Sequence, residues 1–126
     1  TYAVLGGIYA MQNEHQVSIA ESTCGGIFVG RPVTEGGKAK ISIQEMSMIA
    51  LERNTTARDA IKEMGRLAEE LGFYGEDWAD HAFGDAAEAL MVTDPYEAWV
   101  FHVLGDDTGA SAVWAAQRIP DTDFAA

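Results

Sequence analysis

The sequence predicts an α+β fold formed as a single domain. Three observations predict it: β-favouring segments open the chain, two amphipathic helical stretches follow, and short strands joined by tight turns close it. No regular strand–helix alternation, internal repeat or low-complexity tract disturbs that order. At 126 residues, 48% hydrophobic and 22% charged, the chain has the length and composition of one globular domain rather than a disordered segment.

Taken in order, "TYAVLGGIYAM" and "QVSIAES" are two largely buried strands of a hairpin, separated by the polar turn "QNEH". The glycines and proline of "GGIFVGRPVTEGGKAK" mark an irregular surface loop. Ser42 and Glu45 stand at capping-box spacing, and Ile43, Met46, Ile49 and Ala50 then share one helical face. In the second helix Thr56 and Asp59 form the cap and Ala57, Ile61, Met64, Ala68 and Leu71 the apolar stripe. Gly72 ends it, and Arg58, Lys62, Glu63, Arg66, Glu69 and Glu70 face water. "ALMVT", "AWVFHVL" and "AVWAAQRI", joined by "DPYE" and "GDDTGAS", make an antiparallel meander.

The formal net charge of −12 sets a surface that repels phosphate backbones, which excludes nucleic acid as a partner. No apolar run reaches the length of a membrane-spanning helix, and the first residues lack the basic leader of a signal peptide. A single cysteine leaves no internal disulfide and no cysteine-rich zinc site. "NTT" makes Asn54 a candidate N-glycosylation site. The acidic balance is compatible with an acidic compartment, and a lysosomal or secreted location is favoured over a cytoplasmic one.

Several residues invite a chemical role. Glu76, Asp77, Asp80 and His81 lie close together, but without a matching motif elsewhere they read as a solvated acidic loop rather than a metal site. Asp106 and Asp107 suit a hairpin turn, where aspartate bonds its own backbone. His102, among apolar neighbours, reads as a core histidine, and Trp99 and Trp114 as core aromatics on adjacent strands. Paired glycines occur without the lysine and helix start that a phosphate-cradling loop needs. Cys24 has Glu21, Ser22 and Thr23 beside it, none of which stabilises a thiolate, so residue chemistry reads it as structural.

The blocks "GGIYAMQNEHQVSIAESTCGG", "TARDAIKEMGRLAEELGFYGE" and "ALMVTDPYEAWVFHVLGDD…AVWAAQRIPD" together resemble the dipeptidase A and secernin group of cysteine peptidases, within the N-terminal nucleophile hydrolase superfamily. The resemblance covers nearly the whole chain in the same order. It implies an αββα four-layer sandwich with antiparallel sheets. It also implies a cysteine at the mature N-terminus, whose own α-amino group takes the thiol proton; an α-amine titrates near enough to neutrality for that. That cysteine is expected upstream of Thr1, so residues 1–126 are expected to be an interior portion of one such domain, with Thr1 as interior sequence.

The same resemblance places the end of the second strand near the substrate. Thr23 or Ser22 would donate a hydrogen bond to a developing oxyanion and Glu21 would meet a dipeptide's free amino group, or these residues simply end the strand. Expected partners are the remainder of the polypeptide, a small peptide substrate and, as an open alternative, a second copy of the chain. No cofactor or metal is expected. The expected function is thiol-dependent dipeptide hydrolysis, or of another small amide. The alternative is a non-catalytic relative acting in binding or assembly.

Overall fold

The computed structural model describes residues 1–7, 10–75 and 87–122. Its strands are β1 (Val4–Leu5), β2 (Ala10–Asn13), β3 (Ser18–Cys24), β4 (Ile41–Ser42), β5 (Phe73–Tyr74), β6 (Ala87–Thr93), β7 (Ala98–Gly105) and β8 (Ala112–Arg118). Its helices are α1 (Ile43–Arg53) and α2 (Ala57–Leu71). This is an α+β fold. Six strands form one antiparallel sheet in the order β1-β2-β3-β6-β7-β8, and β4 pairs in parallel with β5.

The opening segment differs from its expected single strand. It yields both β1 and β2, which pair antiparallel with Val4 opposite Asn13 and Leu5 opposite Gln12. The break falls after Leu5, where Gly6 and Gly7 carry no side chain to favour continued pairing. The expected turn then joins β2 to β3, with Gln16 in the left-handed region at φ 63°. Asn13 organises this turn. Its Oδ1 accepts from the backbone N–H of His15 and of Val17, each at 3.0 Å.

Both helices start as their sequences require. The Ser42 hydroxyl accepts from the Glu45 N–H at 3.1 Å, and the Glu45 carboxylate accepts from the Ser42 N–H at 3.2 Å. These two bonds close a capping box. The buried stripe of α1 runs through Ile43, Met46, Ser47, Ala50 and Leu51, so Ile49 is only half-buried. Ser47 tolerates burial because its hydroxyl donates to the Ile43 carbonyl at 2.8 Å. In α2 the Thr56 hydroxyl accepts from the Asp59 N–H. Ala57, Ile61, Met64 and Ala68 are buried as expected, joined by Ala60, Gly65 and Leu67. Gly72 ends α2 at φ 63°, a conformation glycine adopts without strain.

Both helices cover one face of the sheet. Met11, Ile19, Leu90, Val92, Phe101 and Val103 project from that face into a common core with Met46, Leu51, Ile61 and Met64. Each such side chain contributes roughly 1.5–3 kcal/mol on leaving water. Trp99 and Trp114 pack against this core while remaining half-buried, and their indole N–H groups donate to Glu97 and Glu69. The initial hairpin and the final meander, separated by about 60 residues of sequence, therefore belong to one sheet through the β3–β6 pairing.

Candidate functional site

Strand alternation assigns each side chain at the end of β3 to a face. Glu21 and Thr23 lie on the helix-covered side, in register with Leu90 and Glu88; Ser22 and Cys24 lie on the other, in register with Ala89 and Ala87. The structure thus joins two of the expected site residues and separates the third. The Thr23 hydroxyl donates to the Glu21 carboxylate at 2.8 Å, at an exposed position. Ser22 looks onto the opposite face.

That opposite face is uncharged. Its rows, read across the sheet, are Ala20–Met91–Val100–Gln117, Ser22–Ala89–His102–Ala115 and Cys24–Ala87–Leu104–Val113. None of these is Asp, Glu, Lys or Arg, in a chain with 28 such residues counted as 20 acidic and 8 basic. A hollow of about 440 Å³ on this face is lined by Ser22, Cys24, Met91, Val100, His102 and Gln117, among others, with Glu21 the one charged residue that contributes to it.

His102 corrects its sequence reading. It is exposed on the uncharged face, while its neighbours Phe101 and Val103 are buried on the other. The signal was present in "AWVFHVL": Trp99, Phe101 and Val103 form the bulkier alternating set, which places His102 opposite them.

Cys24 has no histidine in register with it on the neighbouring strands. Its thiol donates to the Ser22 carbonyl at 3.8 Å. His102 lies two strands away and one row off, so strand spacing alone puts it about 10 Å distant. A cysteine–histidine pair requires hydrogen-bond reach, which this register denies. Cys24 has a structural place at the strand end.

A notch of about 430 Å³ sits at the same end of the sheet, between the loop after β3 and the β7–β8 turn. Asp106 in that turn accepts from the Thr108 hydroxyl at 2.8 Å and from the Ser111 N–H at 3.3 Å. The Thr108 bond foremost holds its carboxyl below the usual range, so it is ionised at neutral pH. Its expected role as a turn-former is thus met. Sequence reading missed the notch, because its walls come from segments about 80 residues apart.

Asn54 follows α1 and is half-buried. Its side-chain amide donates to the Ala50 carbonyl at 2.9 Å, and its own carbonyl accepts from Asn13 at 2.8 Å. The acidic cluster Glu76, Asp77, Asp80 and His81 lies outside the described residues. Among the described residues, no group of three His, Cys, Asp or Glu side chains is placed to hold a metal ion, and no helix is long and apolar enough to cross a membrane.

The expected wet side of α2 carries ion pairs: Arg66 bridges Glu63 at 3.0 Å and Glu70 at 2.6 Å, and Arg53 meets Glu63 at 3.1 Å. These exposed pairs are structural and lie away from the end of β3. The Glu21–Thr23 pair at the polar end of β3 lies beside the mostly apolar hollow. The family comparison agrees with the blocks that end there: the chain matches the model of peptidase family C69 over residues 7–126, and it belongs to that family, the dipeptidase A and secernin group of cysteine peptidases.

Proposed function

We propose that this chain is the interior portion of a thiol-dependent dipeptidase whose nucleophile is an N-terminal cysteine on a segment preceding Thr1. The observation that carries this reading is the family match across residues 7–126. The cysteine thiolate adds to the scissile carbonyl, the amine product leaves, and water hydrolyses the acyl-enzyme; the cysteine's α-amino group accepts and returns the proton.

In this reading the end of β3 meets the substrate. The half-buried Glu21, beside the exposed Thr23, receives the free ammonium of the dipeptide on its carboxylate. A charged donor competes well for a carboxylate, so its arrival frees the Thr23 hydroxyl from the 2.8 Å bond it makes to Glu21. The released hydroxyl then donates to the developing oxyanion, a contribution of about 3 kcal/mol where such a donor is well placed. Substrate charge and oxyanion stabilisation are coupled in this way through one side-chain pair.

The test uses the native full-length polypeptide and a dipeptide such as Ala-Ala. Hydrolysis that persists in Cys24→Ala and is lost in Thr23→Val by about 100-fold in kcat supports the assignment. Absence of hydrolysis in the native polypeptide selects the alternative of a non-catalytic relative, and loss of activity in Cys24→Ala overturns the structural role given to that thiol.

A further inference from the structure

The chain's 8 basic side chains divide by position. Arg53, Arg58, Lys62, Arg66 and Arg118 each form an ion pair with a carboxylate. Arg31, Lys38 and Lys40 form none among the described residues, although the chain carries 20 acidic side chains. All three lie in the loop that leads into β4, and all three are exposed.

The backbone brings them together. Pro32 and Ala39 form an isolated parallel bridge. The Ala39 N–H donates to the Arg31 carbonyl at 3.0 Å, and the Val33 N–H to the Ala39 carbonyl at 3.1 Å. Both bridge residues are buried, so the residues beside them turn outward, and the register sets Arg31 next to Lys38. From Lys38 to Ile41 exposed and buried residues alternate, the pattern of extended chain, which spaces Lys38 and Lys40 by about 7 Å. The Lys40 N–H donates at 3.0 Å to the carbonyl of Leu71, the last residue of α2, so the loop is tied to the helix layer. Lys38 Nζ gives one proton to the Thr108 carbonyl at 3.1 Å and keeps its other donors. Glu35, the one acid of the loop, lies in the 3-10 turn Val33–Glu35, outside the bridge.

Adjacent like charges repel, so three neighbouring cations left open make an anion the complementary ligand. A phosphate is compact and meets one or two of them. Carboxylates on alternate residues of an extended peptide instead repeat at the spacing of Lys38 and Lys40. We propose that Arg31, Lys38 and Lys40 dock a short, extended acidic segment of a partner polypeptide. The net charge of −12 opposes any long polyanion, which confines the contact to the reach of these side chains. This surface is independent of the peptidase reading.

The probe is the acetylated and amidated peptide Glu-Ala-Glu-Ala-Glu, titrated into the full-length polypeptide at about 50 mM salt with backbone amide resonances observed. The signals of Arg31, Lys38 and Lys40 shift on binding, and affinity falls as salt is raised. The glutamine counterpart, lacking charge, and inorganic phosphate, lacking the spacing, each bind several-fold more weakly. Arg31→Gln combined with Lys38→Gln weakens the acidic peptide about tenfold, the loss of two exposed ion pairs. Lys62→Gln, which removes an exposed cation paired with Asp59 on α2, leaves it unchanged. Unshifted amides at saturating peptide, equal binding of the glutamine peptide or of phosphate, or wild-type affinity in the double variant overturns the surface. Tighter binding of a short oligonucleotide overturns it too. Hydrolysis is not read, so failure here leaves the peptidase reading standing.

Discussion

Asn13 shows how much one side chain can hold together. At 4% exposure it uses both ends of its amide: Oδ1 accepts two N–H groups of its own turn, and Nδ2 donates at 2.8 Å to the carbonyls of Leu51 and Asn54. Those carbonyls belong to the last turn of α1 and the residue after it, which lack helical partners. The residue thereby seals a β-turn and a helix end at once. Asn13→Ala leaves buried donors and acceptors unmatched, and is expected to destabilise the protein by about 3 kcal/mol, measured by denaturant unfolding. The residue type announces a turn, and the sequence reading of "QNEH" recovered that part. The contact with a helix end 38 residues later leaves no local trace, so it was illegible. Glu21 and Thr23 were legible as candidates, but their hydrogen bond and their separation from Ser22 needed the β3–β6 register.

At the scale of elements, the helices and the meander were read well because their signals are local: cap spacing, a 3.6-residue stripe and tight polar turns. What their neighbours add was not. Asp94, expected only in the "DPYE" turn, holds that turn through Oδ1, which accepts from the N–H groups of Tyr96 and Glu97 at 2.8 Å. Its Oδ2 accepts from the Ala57 N–H at 2.8 Å and caps α2 from outside its own segment. Burial pushes this carboxyl up, but the three backbone donors together outweigh it and leave it below its ordinary value. A carboxyl depressed in the folded state adds stability that is present above its unfolded value and is lost as pH falls through the folded one. Asp94→Asn, which turns an N–H donor toward the Ala57 N–H, is expected to cost about 1 kcal/mol at neutral pH. The deficit narrows as acid titration protonates the wild-type carboxyl; a deficit independent of pH contradicts the capping role.

Packing of α2 on β8 sets a second constraint. A Cβ on Gly65 would stand 2.3 Å from the Trp114 ring, which is itself tilted against Phe101 at 5.6 Å and bonded to Glu69. Gly65→Ala gains about 1 kcal/mol of helix propensity. Displacing a ring held on three sides costs about 1–3 kcal/mol. Thermal unfolding is therefore expected to show a lower midpoint despite the better helix former. A raised midpoint would mean that Trp114 yields without loss.

For the whole molecule, charge is distributed unevenly. Acidic and basic side chains cluster on α2 and the turns, while the sheet face opposite the helices carries none in the three central rows described above. Leu5, Met91, Leu104 and Val113 are exposed there. Such a face is suited to burial under a second layer. One sheet with helices on one side is what half of an αββα sandwich presents, so we propose that the remainder of the polypeptide supplies the other half. The sequence made the α+β class legible through the order of its elements, but the pairing of β3 with β6 depends on contacts across two intervening helices, which no local pattern encodes.

The most direct test of the account is to locate the reactive thiol. The native full-length polypeptide is treated with limiting iodoacetamide until dipeptide hydrolysis falls to half, and the modified cysteine is identified by peptide mass mapping. The account predicts half-modification of a cysteine at the mature N-terminus, with any labelling of Cys24 unrelated to the loss of activity. Labelling of Cys24 in step with the loss of activity, with no N-terminal cysteine modified, would contradict it.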